Sequence, residues 1–599
     1  MYHDEKLTDT TSTGQQEDGF SQVDATRLLF VNTRVRAQSA AAPMFQALAS
    51  RRATKAAIAE ETESIHNVCN LEDSPFYVFR ASGQGLLHAV VKLIEEAPER
   101  AKAQDQKGWT CLHHAASKGR IKVIDYLLAN GADINRSNQE GNTALHIAVE
   151  KNKVETVRHL LQNGARTDLL NCKKLGPIHL AVVNKLPGIL TVLAEYPKVN
   201  MNLKGPNGAS GLHGCAAFDA SECAAVLMKN GCLLNQTDDN MFYPLHTAAK
   251  NASNSVLRLM LEKCQEYGYK KDRLLALVDR EKNAPLHSAV NSGSKEAVKI
   301  CLEHGASVNA RQAERATAFH LACSHGDLEI VKLMLEYFQA SDCSKTENIL
   351  FSCDILDMTP LHRAAMFDHP EVVSFLIDAG SDVDALDNER RTPLLLAALR
   401  GGRRSLRILL DAGASITVKD VAKRNVIHFL VTFGRPLTEE LDIICLTKSG
   451  KKLLDEKDGR GCTPLHLASE LGNLKFLDYL VDLGAKVNAK NNEDRSPLHF
   501  AAKHGRVVTV SKLLESQCGY QLINETDGYG MTPLHIASGK GHVKVVQLLL
   551  YKGALLHKDY LGRTPLHLAT QEGYTATMRM LLSMHANLLN QVDNKGVKR

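Results

Sequence analysis

The hydrophobic positions of this chain repeat a two-part pattern at a fixed period. A short motif such as Thr359-Pro360-Leu361-His362 opens each unit, and small apolar residues follow it. A denser apolar stretch comes next, as at 545–550, with the spacing of one apolar stripe on a second helix. Thr or Ser favours a helix N-cap, Pro suits the first helical position, and Gly favours the left-handed residue after a helix. Each unit therefore predicts two helices.

The unit recurs along most of the chain, usually 33 residues apart, and we count fifteen copies. The motif histidines are His113, His146, His179, His213, His246, His287, His320, His362, His428, His466, His499, His535 and His567. Leu395 stands where another histidine is expected, and Tyr77 heads a degenerate first copy. The second helix is expected to end at Gly131, Gly164, Gly231, Gly305, Gly380, Gly413, Gly484 and Gly553. One unit cannot bury its own apolar stripe, so neighbouring units must stack.

Composition agrees with a repeat array rather than one large domain. A chain of 599 residues exceeds the size at which a single hydrophobic core keeps growing. The formal net charge of +5 is too small for a dedicated nucleic-acid-binding protein. No apolar run approaches the length that spans a bilayer, so we expect no membrane insertion by this segment. Acidic residues near the N-terminus argue against a signal peptide.

The repeated motif resembles the ankyrin repeat. That resemblance implies an all-α ankyrin-repeat solenoid of about fifteen helix-turn-helix repeats with projecting hairpins. It also implies that the motif histidines form hydrogen bonds near the helix starts and connect adjacent repeats. A metal-binding role for the histidines conflicts with their spacing, since they lie one repeat apart without Cys or carboxylate partners at ligand spacing.

The array is expected to cover 74–599, preceded by a disordered or partly helical tail at 1–73. Residues 25–59 of the tail contain no acidic residue, but they contain Arg27, Arg34, Arg36, Arg51, Arg52 and Lys55. This stretch is interpreted either as a solvated tail or as a basic helix that contacts anionic lipid or an acidic partner. At the other end, Met580, Leu581 and Met584 are expected to be exposed, as if the array were cut short before further repeats and a membrane domain.

The sequence contains no pattern typical of an enzyme or a cofactor site. The segment 538–541 lacks the upstream glycine of a phosphate-binding loop and falls at the turn between two helices of a repeat. The segment 455–459 lacks the acidic residue that ends a calcium-binding loop. We therefore expect no catalytic residue, no metal and no cofactor.

Fourteen cysteines are scattered without a C-x-x-C pair, which indicates reduced thiols in a cytosolic protein. Cys215, Cys301 and Cys323 occupy helix positions and are expected to be buried and inert. Four others fall at a hairpin tip, in insertions or in long linkers and are candidate exposed thiols: Cys172, Cys343, Cys353 and Cys518. They are either sensors activated by neighbouring basic groups, such as Lys173 beside Cys172, or ordinary surface thiols.

The irregular units resemble those of the transient receptor potential ankyrin channels of animals. The relevant segments are 262–269, 283–287, 367–369, 391–396, 424–428 and 527–535. The resemblance implies the N-terminal cytoplasmic ankyrin region of a tetrameric, calcium-permeable cation channel that opens to irritant electrophiles, heat or other noxious cues. The membrane helices and the pore of that family are absent from this sequence, and so is the linker with its main reactive cysteines.

Two functions stay open at this point. One is the sensory or assembly arm of such a channel, at the inner face of the plasma membrane within a homotetramer. The other is a free-standing cytosolic ankyrin adaptor that binds protein partners.

Overall fold

The computed structural model describes residues 77–340, 348–433, 444–445, 448–516, 519–585 and 592–594. The tail at 1–73 lies outside these residues, so its proposed boundary stays a prediction. The chain divides into two compact units, Met1–Gly268 and Tyr269–Arg599. In the first unit the helices are α1 Tyr77–Gln84, α2 Leu87–Glu96, α3 Cys111–Lys118, α4 Ile121–Ala129, α5 Ala144–Glu150, α6 Val154–Gln162, α7 Pro177–Val183, α8 Pro187–Ala194, α9 Gly211–Phe218, α10 Ser221–Lys229, α11 Pro244–Lys250 and α12 Asn254–Lys263.

The second unit continues with helices of the same two kinds. They are α13 Lys271–Leu275, α14 Pro285–Asn291, α15 Lys295–Glu303, α16 Ala318–His325, α17 Leu328–Ala340, α18 Pro360–Met366, α19 Pro370–Asp378, α20 Pro393–Arg400, α21 Arg403–Asp411, α22 Val426–Phe433, α23 Lys448–Leu453, α24 Pro464–Leu471, α25 Leu474–Asp482, α26 Pro497–Lys503, α27 Val507–Glu515, α28 Gly519–Leu522, α29 Pro533–Gly539, α30 Val543–Tyr551, α31 Pro565–Gln571 and α32 Thr575–Met584. Because 434–443 lie outside the described residues, the count of fifteen repeats stays a prediction.

Within each unit, the first helix of every repeat packs against the first helix of the next. This row runs α1, α3, α5, α7, α9, α11 in the first unit and α14, α16, α18, α20, α22, α24, α26, α29, α31 in the second. The alanine pairs predicted to allow close approach are fully buried, for example Ala248 with Ala249 and Ala501 with Ala502. Within the described residues, β-structure is limited to isolated bridges such as Arg311 with Thr317. The all-α solenoid prediction is confirmed.

The predicted helix ends are also confirmed. Gly164 and Gly413, at the ends of second helices, have φ angles of 82° and 84°. No atom lies within 4 Å of a Cβ built on either glycine, so the left-handed backbone rather than lack of space requires glycine there. In two repeats an aspartate takes over a capping role across the repeat boundary. The carboxylate of Asp219 accepts a hydrogen bond from the Val256 amide, and that of Asp368 accepts one from Ser405.

The expectation that the last repeat exposes its apolar stripe is wrong for one residue. Leu581 is fully buried, because this face of α32 packs against α30 and α31 of the stack. Met580 is half-buried, whereas Met584 is exposed. No helix among the described residues is both long enough and apolar enough to cross a membrane.

Candidate interaction surface and exposed thiols

Many of the motif histidines join the start of their own helix to the next repeat. At the first of these sites, His113 Nδ1 accepts hydrogen bonds from the Thr110 amide at 3.1 Å and the Thr110 hydroxyl at 2.8 Å. Since a backbone amide can only donate, the ring proton belongs on Nε2. Nε2 then donates to the carbonyl of Asn142 in the following repeat, at 2.8 Å. One neutral imidazole therefore caps a helix and bridges two repeats.

The same arrangement recurs in both units, with Nε2 against the carbonyl that precedes the next motif. The pairs are His213 with Phe242, His362 with Arg391, His428 with Cys462, His466 with Arg495, His499 with Met531 and His535 with Arg563. The implied role in connecting adjacent repeats is thus present, and both ring nitrogens of these histidines are engaged. That engagement argues against the alternative of metal ligation.

Burial keeps these histidines neutral. Removal from water lowers the pKa of His113, His466 and His535 to about 4, although the accepting carbonyl of the next repeat opposes the shift. Burial likewise lowers the pKa of the His362 ring. At neutral pH the imidazoles therefore keep the single proton that the inter-repeat hydrogen bond needs.

The hairpin tips form a second link between repeats. An amide at one tip donates to a carbonyl at the previous tip, as from Cys172 to Glu140 at 2.9 Å and from Tyr560 to Tyr529 at 3.2 Å. In the second unit this ladder also joins Ala313 to Glu281, Ile355 to Glu314, Asn388 to Leu356, Val421 to Glu389, Gly459 to Ala422, Asn492 to Arg460 and Gly528 to Glu493. The bonds hold the backbone in a row and leave tip side chains exposed, among them Val421 at 66% and Tyr560 at 70%. This row offers an edge for protein partners.

Carboxylates at the base of several hairpins bind arginine side chains, a feature that our sequence reading missed. Arg363 forms a buried ion pair with Asp354, and Arg391 forms one with Asp387 at 2.8 Å. Similar pairs join Arg424 to Asp420, Arg563 to Asp559 and Arg495 to Asp527. The signal in the sequence was the recurring Asp-x-x-x-Arg spacing at 387–391, 420–424 and 559–563.

Of the four candidate thiols, Cys172 and Cys353 lie within the described residues. Cys172 is exposed at a hairpin tip, where its Sγ is 3.6 Å from the Gln139 carbonyl, and it lines a cavity of about 240 Å³ together with Lys173. Cys353 is half-buried, and burial, followed by the nearby carboxylates of Asp357 and Asp354, raises its thiol pKa. Cys343 and Cys518 lie outside the described residues.

The three cysteines expected in the core are buried. Burial raises the pKa of the Cys301 thiol to about 12 and also raises that of Cys215 and Cys323. The segment 538–541, which partly resembles a phosphate-binding loop, spans the end of α29 and the turn before α30, as predicted.

The family model for ankyrin repeats, in three copies, matches residues 78–171, 265–347, 345–420, 427–524 and 518–592. This chain belongs to the ankyrin-repeat family. The ankyrin fold accounts for the helix pairs, for the histidine hydrogen bonds between repeats and for the row of hairpins.

Known proteins similar to the chain include two cation channels. The chain is 46% identical over 523 residues to the transient receptor potential cation channel subfamily A member 1 of Drosophila melanogaster, which covers 86% of this chain and 43% of the relative. For the protein of the same name from Homo sapiens the identity is 34% over 486 residues, covering 81% and 40%. Inversin of Homo sapiens is 30% identical over 199 residues, or 33% of the chain and 18% of that protein.

The ankyrin chain thus spans less than half the length of the channel relatives it matches. The similarity points to the ankyrin region of a transient receptor potential channel and to a protein that is not an enzyme.

Proposed function

We propose that this chain is the cytoplasmic ankyrin region of a calcium-permeable cation channel of the transient receptor potential type. In this proposal it serves a channel that responds to noxious chemical or thermal stimuli, as a sensory and assembly scaffold. It lies at the inner face of the plasma membrane within a homotetramer. One observation carries the proposal: identity of 46% extends over 523 residues, a length that includes the irregular repeats as well as the regular ones.

The links between repeats support the scaffold role. Each repeat contacts only its neighbours, through the histidine bridges and the hairpin ladder, so a displacement at one repeat is passed on to the next. The exposed tips along the same row leave side chains free to contact other proteins. A stimulus or partner acting on one part of either unit therefore has a physical route along that unit.

A chimeric channel tests the proposal. Residues 74–585 replace the matching segment of the Drosophila melanogaster channel, and calcium entry is recorded in cells exposed to an electrophilic irritant and to warming. We expect tetrameric channels at the cell surface with stimulus-evoked cation currents. As a matched control, the same segment is replaced by the region of human Inversin that is similar to this chain, which should not restore the response.

Chimeric channels that reach the surface as tetramers but stay silent under both stimuli would contradict the sensory role. The chain expressed alone should pass no cation current, and a current from it would contradict the scaffold role. If the chimera is silent and the chain instead copurifies stoichiometrically with one cytosolic protein, the adaptor function replaces the channel function.

We further propose that Cys172 is a reactive surface thiol, because it is exposed and adjacent to Lys173 and Lys174. Brief treatment of the native protein with iodoacetamide should modify it at least about tenfold faster than Cys301, whose thiol is fully buried. Peptide mass spectrometry measures both rates, and Cys172→Ser provides the blank. Equal rates without denaturant would show that exposure does not govern reactivity here.

A further inference from the structure

The repeat that contains α3 has an open cleft lined with aromatic rings and a carboxylate. Asp105, Gln106, Lys107, Trp109 and His114 line it, and its volume is about 400 Å³. The ring centroids of Trp109 and His114 are 5.1 Å apart. Trp109 is the single tryptophan of the chain and is only half-buried.

The carboxylate in the cleft is fixed and ionised. Asp105 Oδ1 accepts hydrogen bonds from the amides of Lys107 and Trp109, both at 2.8 Å, and Oδ2 lies 3.0 Å from His114 Nε2. Burial alone raises the pKa of Asp105, but these hydrogen bonds outweigh it and the net pKa is lowered. The cleft therefore presents a negative charge beside an indole ring.

The repeat does not require a tryptophan at this position. In the next repeat, the residue four places after the hairpin amide Asn138 is Asn142. In a repeat of the second unit, the residue four places after Gln312 is Ala316. A side chain with one small methyl group is thus compatible with the same hairpin. The hairpin itself therefore does not require the indole of Trp109.

At the corresponding position of another repeat, an arginine contacts both the hairpin carboxylate and an aromatic ring. Arg424 donates from Nε to the Asp420 carboxylate at 2.7 Å, while its guanidinium lies 4.7 Å from the centroid of the Phe429 ring. Arg424 occupies the position of Trp109, and Phe429 that of His114. In the α3 repeat the carboxylate and the rings are present, but no arginine occupies the corresponding position.

We propose that an arginine or the lysine of residues 25–59 docks into this cleft, with its cation against Trp109 and Asp105. The segment carries Arg27, Arg34, Arg36, Arg51, Arg52 and Lys55 and no acidic residue. It precedes α1, whose Phe79 ring centroid lies 5.6 Å from that of His114. The described part of the chain therefore begins, at α1, beside a ring that lines the cleft.

Chain length permits this contact. The residues between 59 and 77 span up to about 60 Å when extended, so the segment reaches the cleft with slack. A tethered cation experiences an effective concentration in the millimolar range, which allows a weak cation–π contact and ion pair to be occupied. Lys107 lines the rim with its own positive charge, but its side chain is exposed and can turn toward solvent.

Trp109 fluorescence tests the proposal in the full chain without altering the cleft. In the test variant the six basic residues of 25–59 are replaced by glutamine. Docking shields one side of the indole, so the variant should show about a twofold larger Stern–Volmer constant for acrylamide quenching and a red-shifted emission. In the parent protein, 0.5 M NaCl should increase quenching in the same way, whereas it should have little effect on the variant.

The control variant replaces exposed arginines remote in sequence, Arg403, Arg404 and Arg407, by glutamine, and should be quenched like the parent. If the variant lacking the basic residues also keeps the parental quenching constant and emission, the docking proposal is overturned. Shielding that grows with protein concentration overturns it as well, because the cation would then come from a second copy. Neither result bears on the channel function, which does not depend on this cleft.

Discussion

Acidification should loosen the array at repeats whose buried histidine has a lowered pKa, such as that of His466, and spare the repeat with Leu395 at this position. His466 is a well-defined case, since its Nδ1 accepts a hydrogen bond from the Thr463 amide at 3.1 Å and its Nε2 donates one to the Arg495 carbonyl at 2.9 Å. A second proton can enter only at Nδ1, where it removes the acceptor of the helix cap. Folding therefore opposes protonation of this ring.

The size of the effect follows from the pKa. Burial lowers the pKa of His466 from 6.5 to about 4, against about 6.5 in the unfolded chain. The folded repeat then binds fewer protons than the unfolded repeat, so its stability is present above pH 6.5 and is lost as the pH falls toward 4. Between pH 7 and pH 5 the loss is about 2 kcal/mol for one histidine.

Native-state hydrogen exchange resolves this loss repeat by repeat, which a global melting curve of a long array does not. After correction for the intrinsic exchange rates, the opening free energy of α24 should fall by about 2 kcal/mol from pH 7 to pH 5. The substitution His466→Leu should cost about 1 kcal/mol at pH 7, because the Arg495 carbonyl keeps its hydrogen bond from the Asn491 amide at 3.0 Å. In that variant most of the pH dependence of α24 should disappear.

The chain contains its own control for this experiment. In α20 the histidine position is occupied by Leu395, so α20 should show a smaller pH dependence than α24. An opening free energy of α24 that is the same at pH 5 and pH 7 would refute the reasoning. So would an equal pH dependence of α24 in the parent protein and in His466→Leu.

Two further predictions compare matched substitutions, each followed by urea denaturation with circular dichroism. Gly413→Ala should lower the free energy of unfolding by about 1–2 kcal/mol through its φ of 84° alone. Gly326→Ala should lower it by about 1–3 kcal/mol more, because the added Cβ meets the His369 ring. Equal shifts in the two variants would contradict this. Arg363→Met leaves a buried carboxylate without its partner and should cost about 3–5 kcal/mol. Arg404→Met removes the ion pair with Glu371, in which both side chains are more than half exposed, and should cost less than about 1 kcal/mol. A loss as large as that of Arg363→Met would contradict the role of burial.

Much of the fold could be predicted because each repeat contains the same local chemistry. A threonine followed by proline places a helix start, and a glycine such as Gly413 places a helix end, without reference to any distant residue. These local signals agree with the apolar period, so the assignment of first and second helices was secure. The burial of Cys301 followed from the same register.

The errors and omissions concern contacts between different helices and hairpins. The burial of Leu581 depends on which face of α32 meets α30 and α31, and an apolar stripe alone does not distinguish the covered side from the open one. The pair Arg363 with Asp354 joins a helix to a hairpin at nine residues' distance, a spacing outside the helical patterns that a periodicity search detects. The cleft at Trp109 was missed for a related reason, because its carboxylate and rings come from a hairpin and the helix that follows it.

The repeat with Leu395 shows what the histidines contribute beyond the fold. The helix cap survives there, since the Thr392 hydroxyl still accepts a hydrogen bond from the Leu395 amide at 3.3 Å, and the leucine side chain is buried. The carbonyl of Arg424, which a histidine would otherwise contact, keeps the hydrogen bond from the Asp420 amide at 3.1 Å. A repeat therefore folds without the imidazole but loses one bond to its neighbour. Because a buried ring such as that of His466 must stay neutral for Nδ1 to accept the hydrogen bond from the Thr463 amide, its repeat loses stability as the pH falls below about 6, whereas the repeat with Leu395 has no imidazole to protonate.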